Sequence, residues 1–351
     1  MNLALASLSD NLVYAATGVM ALAMLAHAGA WAFTRERRSA ALAERRLAAR
    51  VRQPAVAVAA SGDGTRQADV AVATLDPLET QDGLDSVTAG SSPDDEATRA
   101  YRSDVLARIG VALTILATLL LGAGVLTRGL AAERVPWSNL YEFTISGAFV
   151  IAVGYLALLR PLRLGFLGLP VTGFLLVALG IAVVIFYTPV SGLIPALQSY
   201  WLALHVSAAV LATGVFTIGA LTSLLQLLKG RQERRAAQGV PGGYLAQLPS
   251  AAALERIAYR LNAFAFPIWT FALIAGAIWA AAAWGRYWGW DPKETWMFIT
   301  WVCYAAYLHA RATAGWRDKV AWIGLAAYGA LLFNLIGVNF LLPGLHSYAG
   351  V

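Results

Sequence analysis

The chain has 351 residues, 59% of them hydrophobic and only 13% charged, with a formal net charge of +6 and a mean hydropathy of +0.62. A water-soluble domain of this length needs far more charge to cover its surface, so a membrane protein is expected and no nucleic-acid partner. One cysteine, Cys303, with no CxxC or CxxCH, excludes an internal disulfide and a thioether-bound prosthetic group on the chain itself. Cys303 reads as a small buried hydrophobe.

Apolar runs long enough to cross a bilayer as helices recur along the sequence. They predict an all-α, polytopic membrane helical bundle of about eight transmembrane helices, over 12–33, 105–127, 140–159, 166–187, 201–228, 262–284, 296–310 and 320–342. The first run is too long for a signal-peptide core and lacks a small-residue cleavage site, so it reads as a retained helix. Residues 34–53, rich in Ala, Arg, Glu and Leu, are able to prolong it. Residues 54–99 scatter Pro, Gly, Ser, Thr and Asp without helical or strand period, the composition of a disordered linker. Three segments follow: a helix over 1–33, a largely disordered cytoplasmic linker over 34–104, and a core over 105–351.

The cations alternate between loops. Arg35 to Arg52, Arg160 with Arg163, Lys229 to Arg235 with Arg256 and Arg260, and Arg311 to Lys319 fall on one side. Only Arg128, Arg134, Arg286 and Lys293 fall on the other. Positive residues mark the cytoplasmic face, so both termini are expected outside a cell (plasma or inner) membrane.

The loop Trp284-Gly-Arg-Tyr-Trp-Gly-Trp-Asp-Pro-Lys-Glu-Thr-Trp296 then lies on the extracytoplasmic side. Part of it has a plain structural use. Asp291 is suited to cap the next helix, Pro292 to its first position and Glu294 to a capping box. Interfacial tryptophans are ordinary anchors too. That leaves Trp284, Tyr287, Trp288, Trp290 and Trp296 crowded into thirteen residues with glycines between. Aromatic faces and close backbone suit a large planar ligand, haem or a quinone alike.

Four histidines bear on the choice: His27, His205, His309 and His346. His205 lies one turn inside the fifth helix and His346 follows the last, both on the side of the aromatic loop. Two neutral imidazoles there favour haem, whose iron accepts an axial ligand on each face. A histidine at an interface also commonly just hydrogen-bonds a neighbour. His309, about 20 Å further along its helix from Trp296, cannot share that haem; if it binds haem, there is a second, deeper site. His27 has no aromatic platform around it and reads as a packing or hydrogen-bonding group.

The loop Trp284–Trp296 closely resembles the signature of the haem-handling WWD family. Its CcsA or ResC-type branch is matched more widely, through Pro136–Phe143, Leu197–Val206, Tyr307–Arg311 and Gly344–Tyr348. The resemblance implies haem b held non-covalently by His205 and His346 beside Trp284, Tyr287, Trp288, Trp290, Asp291 and Trp296. It implies a transmembrane haem ligated by His309 and by a CcsB/ResB-type partner. In such a System II cytochrome c synthase, haem is moved outward and joined to the CxxCH cysteines of apocytochrome c, with thiols kept reduced by a thioredoxin-like protein. The haem propionates are expected on some of Arg128, Arg134, Arg286 and Lys293. A CcmC-like haem-delivery subunit and a di-haem quinol oxidoreductase are the alternatives, and no catalytic base is evident.

Overall fold

A computed structural model of the chain describes residues 2–51, 93–190, 199–238, 244–316 and 319–346. Among these residues there are eight helices and no strand. They are α1 (Leu3–Val51), α2 (Pro93–Ala132), α3 (Leu140–Leu159), α4 (Gly168–Val184), α5 (Tyr200–Ala237), α6 (Ala251–Trp284) and α7 (Pro292–Ala312). The last, α8, starts at Val320, widens into a π-turn at Phe333–Gly337 and ends at Leu341. Seven of the eight are long and apolar enough to cross a membrane; α7, with Lys293, Glu294, His309 and Arg311 near its ends, falls short by composition. The expected polytopic bundle is therefore the fold. The linker reading falls largely on 52–92, outside the described residues. Of its flanks, α1 runs on to Val51 and α2 begins at Pro93.

The chain divides into two compact units, Gly29–Leu106 on the one hand and Met1–Ala28 with Ala107–Val351 on the other. In the smaller unit Ser103 Oγ donates to the Ala30 carbonyl at 3.0 Å and Arg102 lies over the Phe33 ring. The larger holds the opening of α1 together with α2–α8. There Ser9 Oγ donates to the Gly124 carbonyl at 2.7 Å. His27 is buried on α1, its ring against Gly110 and Gly168, where an added Cβ would stand 2.8 and 2.6 Å from it. Its Nε2 lies 3.4 Å from Thr114 Oγ1, which makes it a packed, hydrogen-bonding histidine as the sequence suggests.

Helix α5 is the axis of this unit. Its most apolar stretch is 83% buried, against 33–39% in the other six membrane-length helices. It packs closely on α6, where Gly219 leaves no room for a side chain beside Asn262. Without a hydrophobic drive between helices in lipid, such small-residue contacts supply dispersion instead.

A buried charge cluster closes one end of the unit. Arg128, fully buried on α2, donates from Nε to Glu142 at 3.1 Å, pairs with Asp10 on α1 at 3.4 Å, and reaches the Thr188 carbonyl. Arg134 donates to both Glu142 oxygens, at 2.7 and 3.1 Å, and Ser138 adds its N–H and hydroxyl. A buried pair of this kind adds little net stability, but removing one partner strands a charge and costs about 3–5 kcal/mol. Glu142→Ala should therefore lower the thermal midpoint of detergent-solubilised protein sharply. Glu255→Ala, which breaks the half-exposed pair with Arg311 at 2.9 Å, should cost less than about 1 kcal/mol. Equal shifts in the two variants would contradict the assignment.

Candidate ligand-binding site

One cavity, about 1190 Å³ with the open solvent at its mouth included, lies among the N-termini of α3, α5 and α7, the C-terminal half of α6, the π-turn of α8 and the segment after it. Its walls are mainly aromatic and aliphatic: Trp137 and Phe143 from the α3 side, Leu202 from α5, Trp269, Trp279 and Trp284 from α6.

His205 and His346 both line it. His205 Nδ1 lies 2.7 Å from the Ala272 carbonyl of α6, an oxygen that only accepts, so Nδ1 carries the proton and the lone pair falls on Nε2. This close approach requires Gly276, where a Cβ would sit 2.7 Å from the ring nitrogen. The His205 ring runs nearly parallel to Trp279, at 6.3 Å and 10°.

His346 is held differently. Its Nδ1 donates to Asp291 Oδ2 at 2.8 Å, and the Leu345 N–H donates to Asp291 Oδ1 at 2.6 Å. The same carboxylate caps α7 in a full capping box with Glu294. Burial alone would push the Asp291 carboxyl up, but bonds from His346, Leu345 and Lys293 outweigh it and hold the group below its ordinary value. In the neutral form of His346 this bond leaves the lone pair on Nε2. Its ring lies 5.7 Å from Trp279 and 4.9 Å from Trp284, so the Trp279 indole stands near both imidazoles.

Of the residues singled out in the sequence, His205, His346, Trp284, Tyr287 and Trp288 meet in this cavity. Asp291 serves it through His346. Trp290 and Trp296 are not in the lining. Trp290 is 67% exposed in a left-handed backbone conformation, φ 58°, with its ring edge-on to Trp288. Trp296, a turn inside α7, packs on Phe333 of the π-turn at 4.2 Å. Gly289 makes room for the Arg286 guanidinium rather than a ligand, since a Cβ there would overlap that group. His309 is exposed near the other end of α7, about 20 Å along the helix from the cavity rim.

The four cations expected on the side of the aromatic loop separate in the same way. Arg128 and Arg134 are engaged by Glu142, and Arg286 pairs with Glu294 at 3.0 Å. Lys293 alone of the four lines the cavity. Sequence reasoning missed Trp279, Trp137 and Asn139. The spacing of Trp279 five residues before Trp284 was a signal, but an isolated tryptophan within a membrane helix reads equally as core.

The arrangement presents two imidazole rings to one aromatic-walled space. No group of three or more His, Cys, Asp or Glu able to chelate an ion occurs among the described residues. Two imidazoles are a donor set that a haem iron accepts, its other positions being filled by a planar macrocycle.

Residues 137–346 match the family model described as Cytochrome C assembly protein. Cytochrome c biogenesis protein CcsA of Guillardia theta is 36% identical over 257 residues, covering 68% of this chain and 85% of that protein. The Porphyra purpurea protein of the same name is 33% identical over 280 residues, 69% and 88% of the respective lengths. A solved structure, Cytochrome c Heme Lyase CcmF, aligns at 18% identity with a TM-score of 0.49 over 66% of this chain and 43% of that one. On the family match and these identities, the chain belongs to the cytochrome c assembly family.

Proposed function

We propose that the chain carries haem as cargo for cytochrome c maturation. The cavity holds haem b non-covalently between His205 and His346, with Trp284, Tyr287, Trp288 and Trp279 along its faces. The loop faces the extracytoplasmic side of the cell membrane. His309 ligates a second haem together with a CcsB/ResB-type membrane partner, and haem passes from there to the outer cavity. Attachment to apocytochrome c then adds each CxxCH thiol across a haem vinyl group: a C–S bond forms, the vinyl C=C becomes a single bond and the thiol proton goes to its other carbon. The addition consumes no oxidant. A thioredoxin-like reductant keeps the thiols free, and this chain's part is positioning.

The observation that carries this reading is the pinning of both Nδ1–H groups, His205 on a carbonyl and His346 on a carboxylate. Metal-bound histidines are held this way by acceptors behind them, which fix tautomer and ring orientation.

Purified protein should therefore show a bis-histidine, b-type spectrum. His205→Ala with His346→Ala should abolish it at the outer site, and added imidazole should restore it. An unchanged spectrum in the double variant would overturn the ligand assignment.

Asp291→Asn separates capping from ligand orientation, because Asn caps as well as Asp. The variant should fold with normal helix content but show a raised haem midpoint potential, since the anion behind His346 no longer strengthens its donation. The carboxyl lies below its ordinary 3.8 when folded, so its stabilisation is complete above that value and is lost as pH falls through the lower, folded one. Wild-type thermal stability should drop below pH about 4 more steeply than that of the variant. An unchanged potential would remove Asp291 from the site.

His309→Ala and Trp288→Ala should fail in different ways. Both lower mature cytochrome c, but haem supplied from outside should rescue thioether attachment in His309→Ala only. Trp290→Ala, outside the cavity, should retain haem as wild type does. Equal rescue of the first two variants would refute a relay from an inner to an outer position.

A further inference from the structure

The polar groups of the cavity divide into those already satisfied and those that are not. Ser138 donates its N–H and hydroxyl to Glu142. Glu294 accepts from Arg286 and from the Gly289 and Asp291 N–H groups. Asn339 Nδ2 donates to the Leu335 carbonyl at 2.8 Å. Asn139 is different. Its Oδ1 caps α3 by accepting from the Glu142 N–H at 2.8 Å, while its Nδ2, in a residue only 6% exposed, has no partner. A buried donor left unmade costs about 1–3 kcal/mol, and groups kept in that state are commonly completed by a ligand.

Lys293 is the second unfinished donor. The π-turn of α8 widens the helix where Asn334 and Leu335 stand, and their carbonyls accept from Lys293 Nζ at 2.9 and 3.4 Å. An ammonium has three N–H groups, and these two bonds use two of them. The two carbonyls hold the cation at the cavity wall without neutralising it. Asn139 and Lys293 also stand at the N-termini of α3 and α7, where the helix dipole adds partial positive charge.

We propose that Asn139 and Lys293 bind the propionate carboxylates of the cavity's cargo and so set which edge of the macrocycle faces inward. This rests on the haem reading above. Arg128 and Arg134, paired with Glu142, and Arg286, paired with Glu294, take no part. With the carboxylate edge fixed on these residues, the vinyl groups stand on the opposite side of the macrocycle, the side an incoming thiol must reach.

The test compares haemin with haemin dimethyl ester, in which both carboxylates are neutralised, binding to full-length protein in detergent. Wild type should bind haemin about tenfold or more tightly than the diester, the range of a hydrogen bond to a charged group. Asn139→Asp keeps the α3 cap but replaces the donor by an anion, and Lys293→Gln keeps a donor for the π-turn but removes the charge. Each should weaken haemin binding while leaving the diester's affinity and bis-histidine spectrum unchanged. Wild type that does not discriminate, or variants that still discriminate fully, would overturn the carboxylate assignment alone. Failure of the haem reading beneath it has another signature: His205→Ala would leave the spectra of both bound probes unaltered.

Discussion

The carboxylate of Asp291 ties together parts of the chain that would otherwise have no reason to meet. It begins α7 through its bond to the Lys293 N–H, and it receives both the Leu345 N–H and the His346 ring. The segment after α8 is irregular, so its backbone groups need partners supplied from elsewhere. One carboxylate furnishes them and in the same act sets the last cavity histidine against Trp284 and Trp279. Gly344 belongs to this junction, because a Cβ there would stand 2.7 Å from Asp291 Oδ1. The local signal of a capping box and the tertiary placement of a ligand candidate thus share one side chain.

The second histidine depends on close helix packing rather than on charge. His205 reaches the Ala272 carbonyl only because α5 and α6 approach across Gly276. The two imidazoles are held by unlike acceptors, a carbonyl behind one and an anion behind the other. An iron between them would therefore have a stronger donor on the His346 side.

The sequence reveals the helices and the cap because both are local. Apolar runs of membrane length fix α1–α6 and α8 to within a few residues, except where polar ends prolong α1, α2, α5 and α6 beyond the apolar run. His205, His346 and the loop aromatics are legible because ionisable groups and crowded tryptophans are rare in such chains. What is not legible is which way a side chain turns. Trp290 and Trp288 are two residues apart, yet the left-handed backbone at Trp290 sends one outward while the other lines the cavity. Trp296 is carried by α7 onto Phe333. Likewise, the cations form one set by position but separate by partner, and only the π-turn shows why Lys293 stands at the cavity wall. That turn leaves no periodic trace in an almost wholly apolar stretch.

The route between the two proposed haem positions follows from the faces of α7. Its buried side carries Thr300, Tyr304 and Tyr307. At mid-depth Tyr304 stacks on Phe216 of α5 at 3.6 Å, and both rings are almost completely buried. A porphyrin cannot cross that plane within the bundle without prising α5 from α7, and interiors packed this closely resist such opening. His309 instead shares the exposed face of α7 with Phe298, Val302 and Ala306. Those positions follow one another by four, four and three residues, a continuous stripe on one side of a helix. On the proposed relay, a haem leaving His309 for the cavity would travel along the outside of α7, under whatever covers that stripe. Trp288, edge-on to Phe298 at 6.4 Å, stands where the stripe meets the cavity wall. Its position makes it the side chain that a cargo on the proposed path would meet before the histidines.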